Sequence, residues 1–598
     1  MADPISRRDL DFQLYEWLDV EQLTKFERYA DHSKDTFDAV LDLAQDIAIK
    51  KYAPFNKLLD QDEPYVGDDG KVVLPDATAE GVREFLAAGL IAGPFGEDLD
   101  GGSLPATVHQ AAMTWFQAAN PAMSSYTFLT VGNANLLATY GTPDQIDTWV
   151  KPMLEGRYFG TMCLSEPGAG SSLSDITTKA TPVGDGTYRV TGTKMWISAG
   201  DHELGENIVH LVLAKAPGGG PGVKGISLFI VPRFLEDGTR NDVALVGLNH
   251  KMGQRGTTNT LLNFGDGTFP VPSESGAAEQ GAVGYLVGEE HKGLFYMFHM
   301  MNEARIGVGF LATAIGYAGY LQSLEYAKTR LQGRPVDAKD PASKPVAIIE
   351  HPDVKRMLLA QKSYVEGGLA LGLWSSTLVD RAATAPDEDE RARAALLLDV
   401  ITPISKSWPS QWCLTANDLA IQVLGGYGYT KEFDVEQCYR DNRLNPIHEG
   451  THGVQAIDLL GRKFVMKGGA GLQVLIETLT ETIDRATAAG GTAAEYAATL
   501  RPYVERIPAT VMTAWADGDA AVALANATAF LEAAGHTVLA WLWLEQFLAA
   551  AGKDGDFYDG KRAATQYFFT YELPKTGPMF DLVAAKDRTT IDTPSAWF

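Results

Sequence analysis

Around Tyr158 the texture of this chain changes, and near Gly293 it changes back; this pair of switches limits the folds open to it. Residues 10–160 read as helices: segments such as Phe37–Tyr52 and Thr78–Leu90 carry apolar residues three and four apart, the spacing of a helix with one buried face. From about 160 to 285 the runs YRVTGTKMWIS, IVHLVLAKA, ISLFIVP and TLLNF are short and β-rich, with Gly, Pro, Asp and Asn between them. That pattern predicts an antiparallel β domain, with PGGGPGVKG (217–225) as a hairpin-like loop. The helical period then returns and holds to the last residues, interrupted by expected loops at 333–345 and at APDEDERAR, 385–393. KGGAG (467–471) marks a further boundary. The expected fold class is α+β, mainly α: an N-terminal helical domain (1–160), a middle antiparallel β domain (161–285), a C-terminal helical bundle (286–466) and an additional helical domain (467–598).

With 598 residues the chain exceeds the size at which one core keeps growing, so several domains are required. Fifty Lys+Arg against 76 Asp+Glu give a net charge of −26, which disfavours nucleic acid as a partner. Cys163, Cys413 and Cys438 are too scattered for a disulfide framework, and no Cys/His cluster suggests a metal, so a reducing compartment fits. The first residues lack a signal-peptide core, and the apolar stretch 537–551 contains Glu545 and Gln546 and reads as a buried helix. The expectation is a cytoplasmic protein with no membrane span.

Four constellations carry chemistry. In Ser165-Glu166-Pro167-Gly168-Ala169-Gly170-Ser171-Ser172, glycines admit close backbone approach and hydroxyls offer hydrogen bonds, as a cofactor with carbonyls or phosphates needs; a structural loop fits equally. In Lys194-Met195-Trp196-Ile197-Ser198, a Trp beside a Ser either covers and hydrogen-bonds a planar ring or fills a β core. In Asn302-Glu303-Ala304-Arg305, the arginine sits among small and apolar residues and needs an anionic or carbonyl partner, from a ligand or from the chain itself. The fourth runs from Gln422 through Gly425-Gly426-Tyr427-Gly428 to His448-Glu449-Gly450-Thr451. Glu449 there is either a solvated acid or a general base whose pKa is raised by desolvation from about 4.3 towards 6–7.

Together and in order, LSEPGAGSS, GTKMWIS, HKMGQRGTTNTLLNF, GEEHKG, MMNEARIGVG, QVLGGYGYTKEFDVEQCYRD and HEGTHGVQAIDLLGRK closely resemble the acyl-CoA dehydrogenase family over residues 40–465. The resemblance implies an FAD enzyme that dehydrogenates an acyl-CoA thioester to a trans-2-enoyl-CoA. Glu449 would take the α-proton, and electrons would pass to an electron-transfer flavoprotein. It implies that Leu164, Ser165, Gly170 and Ser171 line the flavin and that Trp196 and Ser198 cover and hydrogen-bond its ring. Arg330, Gln422 and Gly426 would reach the diphosphate and adenine end of a partner subunit's flavin, and Thr451 would touch the flavin beside the base. Ser171, Asn302, Arg305 and Gly450 fall at the substrate. Some relatives carry the base just before the arginine of the third constellation; here that position is Ala304. Glu303 points about 100° away around a helix and reads as a helix salt bridge.

Three departures stand out: His448 replaces an aromatic and either tunes Glu449 or fills space, Gly453 replaces a polar flavin contact, and Met162 replaces an aromatic. With the C-terminal extension they are similar to the larger subgroup of this chain's length. That subgroup includes bacterial enzymes for longer acyl chains and for 3-methylmercaptopropionyl-CoA, and its members are often dimers, which implies a homodimer here with a tetramer as the alternative. Two other activities share the fold: an acyl-CoA oxidase using oxygen, and a DNA-binding alkylation-response flavoprotein. Residues 466–598 hold ten Lys+Arg against sixteen Asp+Glu, which speaks against DNA binding.

Overall fold

A computed structural model describes residues 3–272, 278–337, 339–340 and 342–598. Contacts divide the chain into two compact units. One comprises residues 42–104 and 119–304, the other residues 1–41, 105–118 and 305–598.

The first unit is built on an eight-stranded sheet: β1 (Tyr158–Cys163), β2 (Lys179–Pro182), β3 (Thr187–Ser198), β4 (Asn207–Lys215), β5 (Ile226–Pro232), β6 (Val243–Leu248), β7 (Asn259–Phe264) and β8 (Ala282–Leu286). The strand order is β8-β5-β4-β2-β3-β7-β6, with β1 on β4 and with β8 also pairing β3. β4 and β5 are antiparallel neighbours joined through 216–225, as the glycine-rich run requires. The pairing is not antiparallel throughout. β1 runs parallel to β4 from Tyr158↔Asn207 to Cys163↔Val212. The connection between them is long enough to return to the same end, which a two-residue hairpin cannot do. One core layer, with Leu211, Leu228 and Ile230, packs under the helix Pro121–Tyr140 and Trp149; a second, with Val190, Phe229 and Phe264, fills the opposite face. The stretch read as wholly helical also contains a short hairpin, Tyr65–Val66 with Val72–Val73.

The second unit is helical. Its frame is α1 (Gly293–Thr329, from Arg305 onward), α2 (Pro352–Thr384) and α3 (Glu388–Leu424), followed by α4 (Val435–Asn442) and α5 (His452–Asp458). Of the run 385–393 only residues 385–387 form a loop: helix α3 begins at Glu388, capped by the Asp387 side chain accepting from the backbone of Asp389 and Glu390. Three acids in that first turn suit the positive end of the helix dipole, which a reading of charge density alone misses. α1 and α3 approach closely. A Cβ at Gly309 would overlap the Ser405 carbonyl oxygen, and one at Gly316 would lie 2.7 Å from Cys413 Cβ. Pro409, without an N–H, leaves that Ser405 carbonyl out of the helical ladder.

Asp380 of α2 accepts from Tyr29 Oη (2.8 Å), Ala106 N (2.7 Å), Thr107 N (3.0 Å) and Thr107 Oγ1 (2.6 Å), tying residues 1–41 and 105–118 to this frame. The C-terminal region adds α6 (Ala470–Ala489), α7 (Gly491–Ala514), α8 (Ala527–Ala549), α9 (Asp556–Tyr567) and α10 (Thr576–Ala584). α8 is the buried helix expected over 537–551. Glu545 on it accepts from Thr482 Oγ1 (2.5 Å), and Gln546 Oε1 accepts from Lys561 Nζ (2.9 Å). Among the described residues no helix is long and apolar enough to cross a membrane.

Candidate active site

The candidate site residues fall in both units, and the two sets are built differently. In the β unit, Leu164, Ser165, Gly170 and Ser171 lie on the loop that leaves β1, and Trp196 and Ser198 lie at the end of β3. Met195 N donates to Ser165 O (3.0 Å) and Lys194 Nζ donates to Leu164 O (3.0 Å), so these two segments are brought together. The acid of the loop, Glu166, is buried and accepts from Thr177 N (2.7 Å), Thr177 Oγ1 (2.7 Å), Thr178 N (3.0 Å), Thr178 Oγ1 (2.6 Å) and Lys194 Nζ (3.0 Å). Burial alone would raise its pKa. The Thr178 hydrogen bond, the Lys194 charge and the backbone donors outweigh burial and bring it down to about 2. A Cβ at Gly168 or Gly170 would meet nothing, so the loop has an open side.

The β3–β7 register slips between Met195 and Ile197, a bulge that turns Trp196 out of the ladder. Trp196 has φ +66° and is 58% exposed. A bulky residue in the left-handed region is strained, and here the strain holds an indole in the open instead of in the core. That disposes of the core-Trp alternative. Ser198 Oγ accepts from Asn259 Nδ2 (3.2 Å).

In the helical unit, Arg330 and Gly426 line one cavity of about 470 Å³ together with Tyr326, Val423 and Tyr427. The Arg330 guanidinium carbon lies 5.7 Å from the Tyr427 ring centroid. Gln422 lies in the last turn of α3, and its carbonyl accepts the Gly425 N–H, where the chain turns at φ +60°. Cβ atoms at Gly425 and Gly426 would meet nothing, so the cavity presents a cation beside unobstructed backbone, a donor set suited to a diphosphate.

Segment 445–451 carries Glu449, which is half-buried and left-handed at φ +53°, followed by Gly450 at φ +90°. Among the described residues nothing accepts from the Glu449 backbone N–H. Its carbonyl accepts from Gln455 Nε2 (3.2 Å), and Thr451 Oγ1 caps α5 by accepting from Val454 N (3.3 Å). Burial raises the Glu449 pKa above the usual carboxylate range, while the charges of Arg305 and Lys406 pull it down. Arg305 is buried on α1 with its Nη1 3.8 Å from Asp458 Oδ2, which answers its need for an anionic partner from within the chain. Desolvation draws the Arg305 pKa down, and Asp458 and Glu449 draw it up. Asn302 lies outside the residues whose side chains are described. Glu303 accepts from Asn135 Nδ2 (2.6 Å) of a neighbouring helix, a partner that a reading of helix ion pairs did not foresee.

His448 contributes its Nε2 to a hydrogen bond with Asn445 Oδ1 (3.0 Å). Desolvation, then the Lys406 charge, lower its pKa to about 3, so it is neutral and acts by shape and hydrogen bonding. Sequence reasoning missed the layer behind this loop. Lys406 on α3 is buried, and its Nζ donates to Asn445 O (2.7 Å) and Gly450 O (2.7 Å). Asn445 Nδ2 donates to Asn442 Oδ1 (2.8 Å); Asn442 Nδ2 donates to Ala312 O (3.0 Å) and Asn417 Oδ1 (2.7 Å). The visible signal was a lone charge, Lys406, in the otherwise uncharged run 400–417.

The residues in hand fit a flavin dinucleotide: an exposed indole, hydroxyl-rich loop backbone with an open side, and an arginine at a glycine turn. Three family models match: "Acyl-CoA dehydrogenase, middle domain" over residues 161–266, "Acyl-CoA dehydrogenase, C-terminal domain" over 291–463, and "Acetyl-CoA dehydrogenase C-terminal like" over 475–594. The 3-methylmercaptopropionyl-CoA dehydrogenase of Ruegeria pomeroyi is 34% identical over 576 residues, 94% of each chain. The broad-specificity linear acyl-CoA dehydrogenase FadE5 of Mycobacterium tuberculosis is 32% identical over 99% of each. The solved acyl-CoA dehydrogenase of Bacillus anthracis complexed with FAD superposes with a TM-score of 0.74 at 18% identity, covering 96% of this chain and 91% of that one.

Proposed function

Since this chain belongs to the acyl-CoA dehydrogenase family, we propose that it dehydrogenates an acyl-CoA thioester across Cα–Cβ with Glu449 as the base. The observation that carries the reading is the setting of Glu449. It is a half-buried carboxylate of raised pKa in a left-handed turn, acted on by the charges of buried Arg305 and Lys406, and among the described residues nothing accepts from its own N–H.

The chemistry needs each part of that setting. The α-proton of a thioester is a weak acid until its carbonyl oxygen is stabilised as charge develops, and the Glu449 N–H would donate to such an oxygen. The Glu449 carboxylate takes the α-proton. Burial makes it a stronger base, while Arg305 and Lys406 keep it ionised. FAD, when bound, supplies the acceptor for the β-hydrogen as hydride. Leu164, Ser165, Gly170 and Ser171 present backbone and hydroxyls to it, Trp196 and Ser198 cover and hydrogen-bond its ring, and Thr451 meets it next to the base. Arg330, Gln422 and Gly426 hold the diphosphate–adenine end of the flavin of a partner copy, which makes the working form a homodimer. Ser171, Arg305 and Gly450 bound the substrate. The electron acceptor is an electron-transfer flavoprotein, the compartment is the cytoplasm, and the regions 1–160, 161–285, 286–466 and 467–598 act as the domains.

The test is anaerobic bleaching of the bound flavin by a panel containing butyryl-, hexadecanoyl- and 3-methylmercaptopropionyl-CoA. One chain class should bleach it within turnover time. Glu449→Gln should retain flavin and lose about 10²–10⁴-fold in bleaching rate, the worth of a positioned general base. Bleaching of the variant at the wild-type rate rejects the base.

A further inference from the structure

We infer that Lys406 is the positioning residue of the Glu449 loop: its ammonium ties both ends of segment 445–450 together and supplies charge that keeps the Glu449 carboxylate ionised. This rests on the reading of Glu449 as the base.

A lysine with no exposed surface is costly to fold unless its charge is used. Lys406 stands on α3 between Pro403 and Pro409, and it is the one charged side chain in residues 400–417 of that helix. Among the described residues no carboxylate forms a direct ion pair with it; its two hydrogen bonds go to the carbonyls of Asn445 and Gly450, 39 and 44 positions later in the chain. Those carbonyls bracket the two consecutive left-handed residues, Glu449 and Gly450. Fixing the Gly450 peptide at one end and the Asn445 peptide at the other fixes the direction of the Glu449 side chain and N–H. Gln455 Nε2 donates to the carbonyl of Glu449 itself, and His452 N to that of Pro446.

The charged and titratable groups that act on this ammonium come from each neighbouring element. Arg305 reaches it from α1, and Glu449 and His448 from the loop; Asp458 and Arg462, at the end of α5 and just after it, act through Arg305. Desolvation lowers the Lys406 pKa to about 7, with Glu449 opposing and Arg305 assisting, so the ammonium is lost near neutrality. The rate should therefore rise with pH as Glu449 ionises, then fall above about 7 as Lys406 loses its proton.

The experiment compares flavin bleaching across pH in the wild-type holoenzyme, Lys406→Met and Glu449→Gln. Lys406→Met is expected to keep its flavin, bleach at least about tenfold more slowly with little change in KM, and lose the alkaline fall. Its acid rise should move up by about one pH unit, the scale of a removed neighbouring charge. A folded, flavin-bound Lys406→Met with the wild-type rate or the wild-type pH profile overturns the inference. If Lys406→Met does not fold, Lys406→Gln replaces it: its amide can donate to the same carbonyls without charge, and its pH profile is judged by the same two outcomes. An inactive Glu449→Gln beside an unaffected Lys406 variant rejects Lys406 alone, whereas an active Glu449→Gln rejects the base assignment.

Discussion

Lys194 Nζ and Glu166 Oε1 lie 3.0 Å apart with both side chains withdrawn from solvent, and this ion pair joins the strand that carries Trp196 to the loop that carries Ser165 and Gly170. Breaking a buried pair by removing one partner costs about 3–5 kcal/mol, because the other charge is left uncompensated. Lys194→Met should lose stability on that scale in denaturant unfolding. Glu166 also sets an acid limb. Its folded-state pKa of about 2 lies below the ordinary 4.5, so its contribution is present above pH 4.5 and is lost as pH falls from there towards 2. Glu166→Gln should flatten that loss; an unchanged acid limb in Glu166→Gln would reject this assignment.

Trp196 offers the opposite trade. Its φ of +66° is a conformation that glycine adopts without strain, and its ring is more exposed than buried. Trp196→Gly should release about 1–3 kcal/mol of backbone strain while adding about 0.5–1 kcal/mol of unfolded-state entropy. The flavin-free protein should be as stable as wild type or more so in urea, yet bind FAD at least about tenfold more weakly by fluorescence titration. A destabilised variant with unchanged FAD affinity would mean that the indole serves the fold.

Much of this was legible in the sequence where the signal is local. The helical period breaks before Tyr158, where β1 begins, and resumes at Gly293, where α1 begins. Trp196 and Glu449 each fitted a β core or a solvated loop on composition alone, and only the resemblance of their ordered motifs singled them out. What stayed hidden joins distant segments. No periodicity reports that Lys406 meets carbonyls around forty positions away, that β1 runs parallel to β4, or that Asp380 gathers Tyr29, Ala106 and Thr107. The loop expected over 385–393 is confined to 385–387, because acids crowd a loop and the first turn of a helix alike; the Asp387 cap distinguishes the two only once the backbone is seen.

The C-terminal region reaches the candidate site through Glu532 of α8. Its carboxylate accepts from Trp412 Nε1 (2.6 Å) and pairs with His452 Nε2 (2.7 Å), the residue after the Thr451 cap. Burial would raise the Glu532 pKa, but the hydrogen bond and charge of His452 lower it overall. Its stabilising contribution is therefore present above the ordinary carboxylate pKa and fades as pH falls below it. Glu532→Ala leaves two half-buried partners, Trp412 Nε1 and His452 Nε2, without their carboxylate at about 1 kcal/mol or more each. Because one of them opens α5, the loss falls on the turn that follows Glu449 and Gly450. The variant should unfold at lower denaturant and also bleach its flavin roughly tenfold more slowly at saturating substrate, a slowing of about 1.4 kcal/mol in barrier. Glu532→Gln, which keeps an acceptor for Trp412, should recover most of the stability and only part of the rate. Equal recovery of both would make Glu532 a strut for α8 alone, and an unchanged rate in Glu532→Ala would separate the C-terminal region from the chemistry.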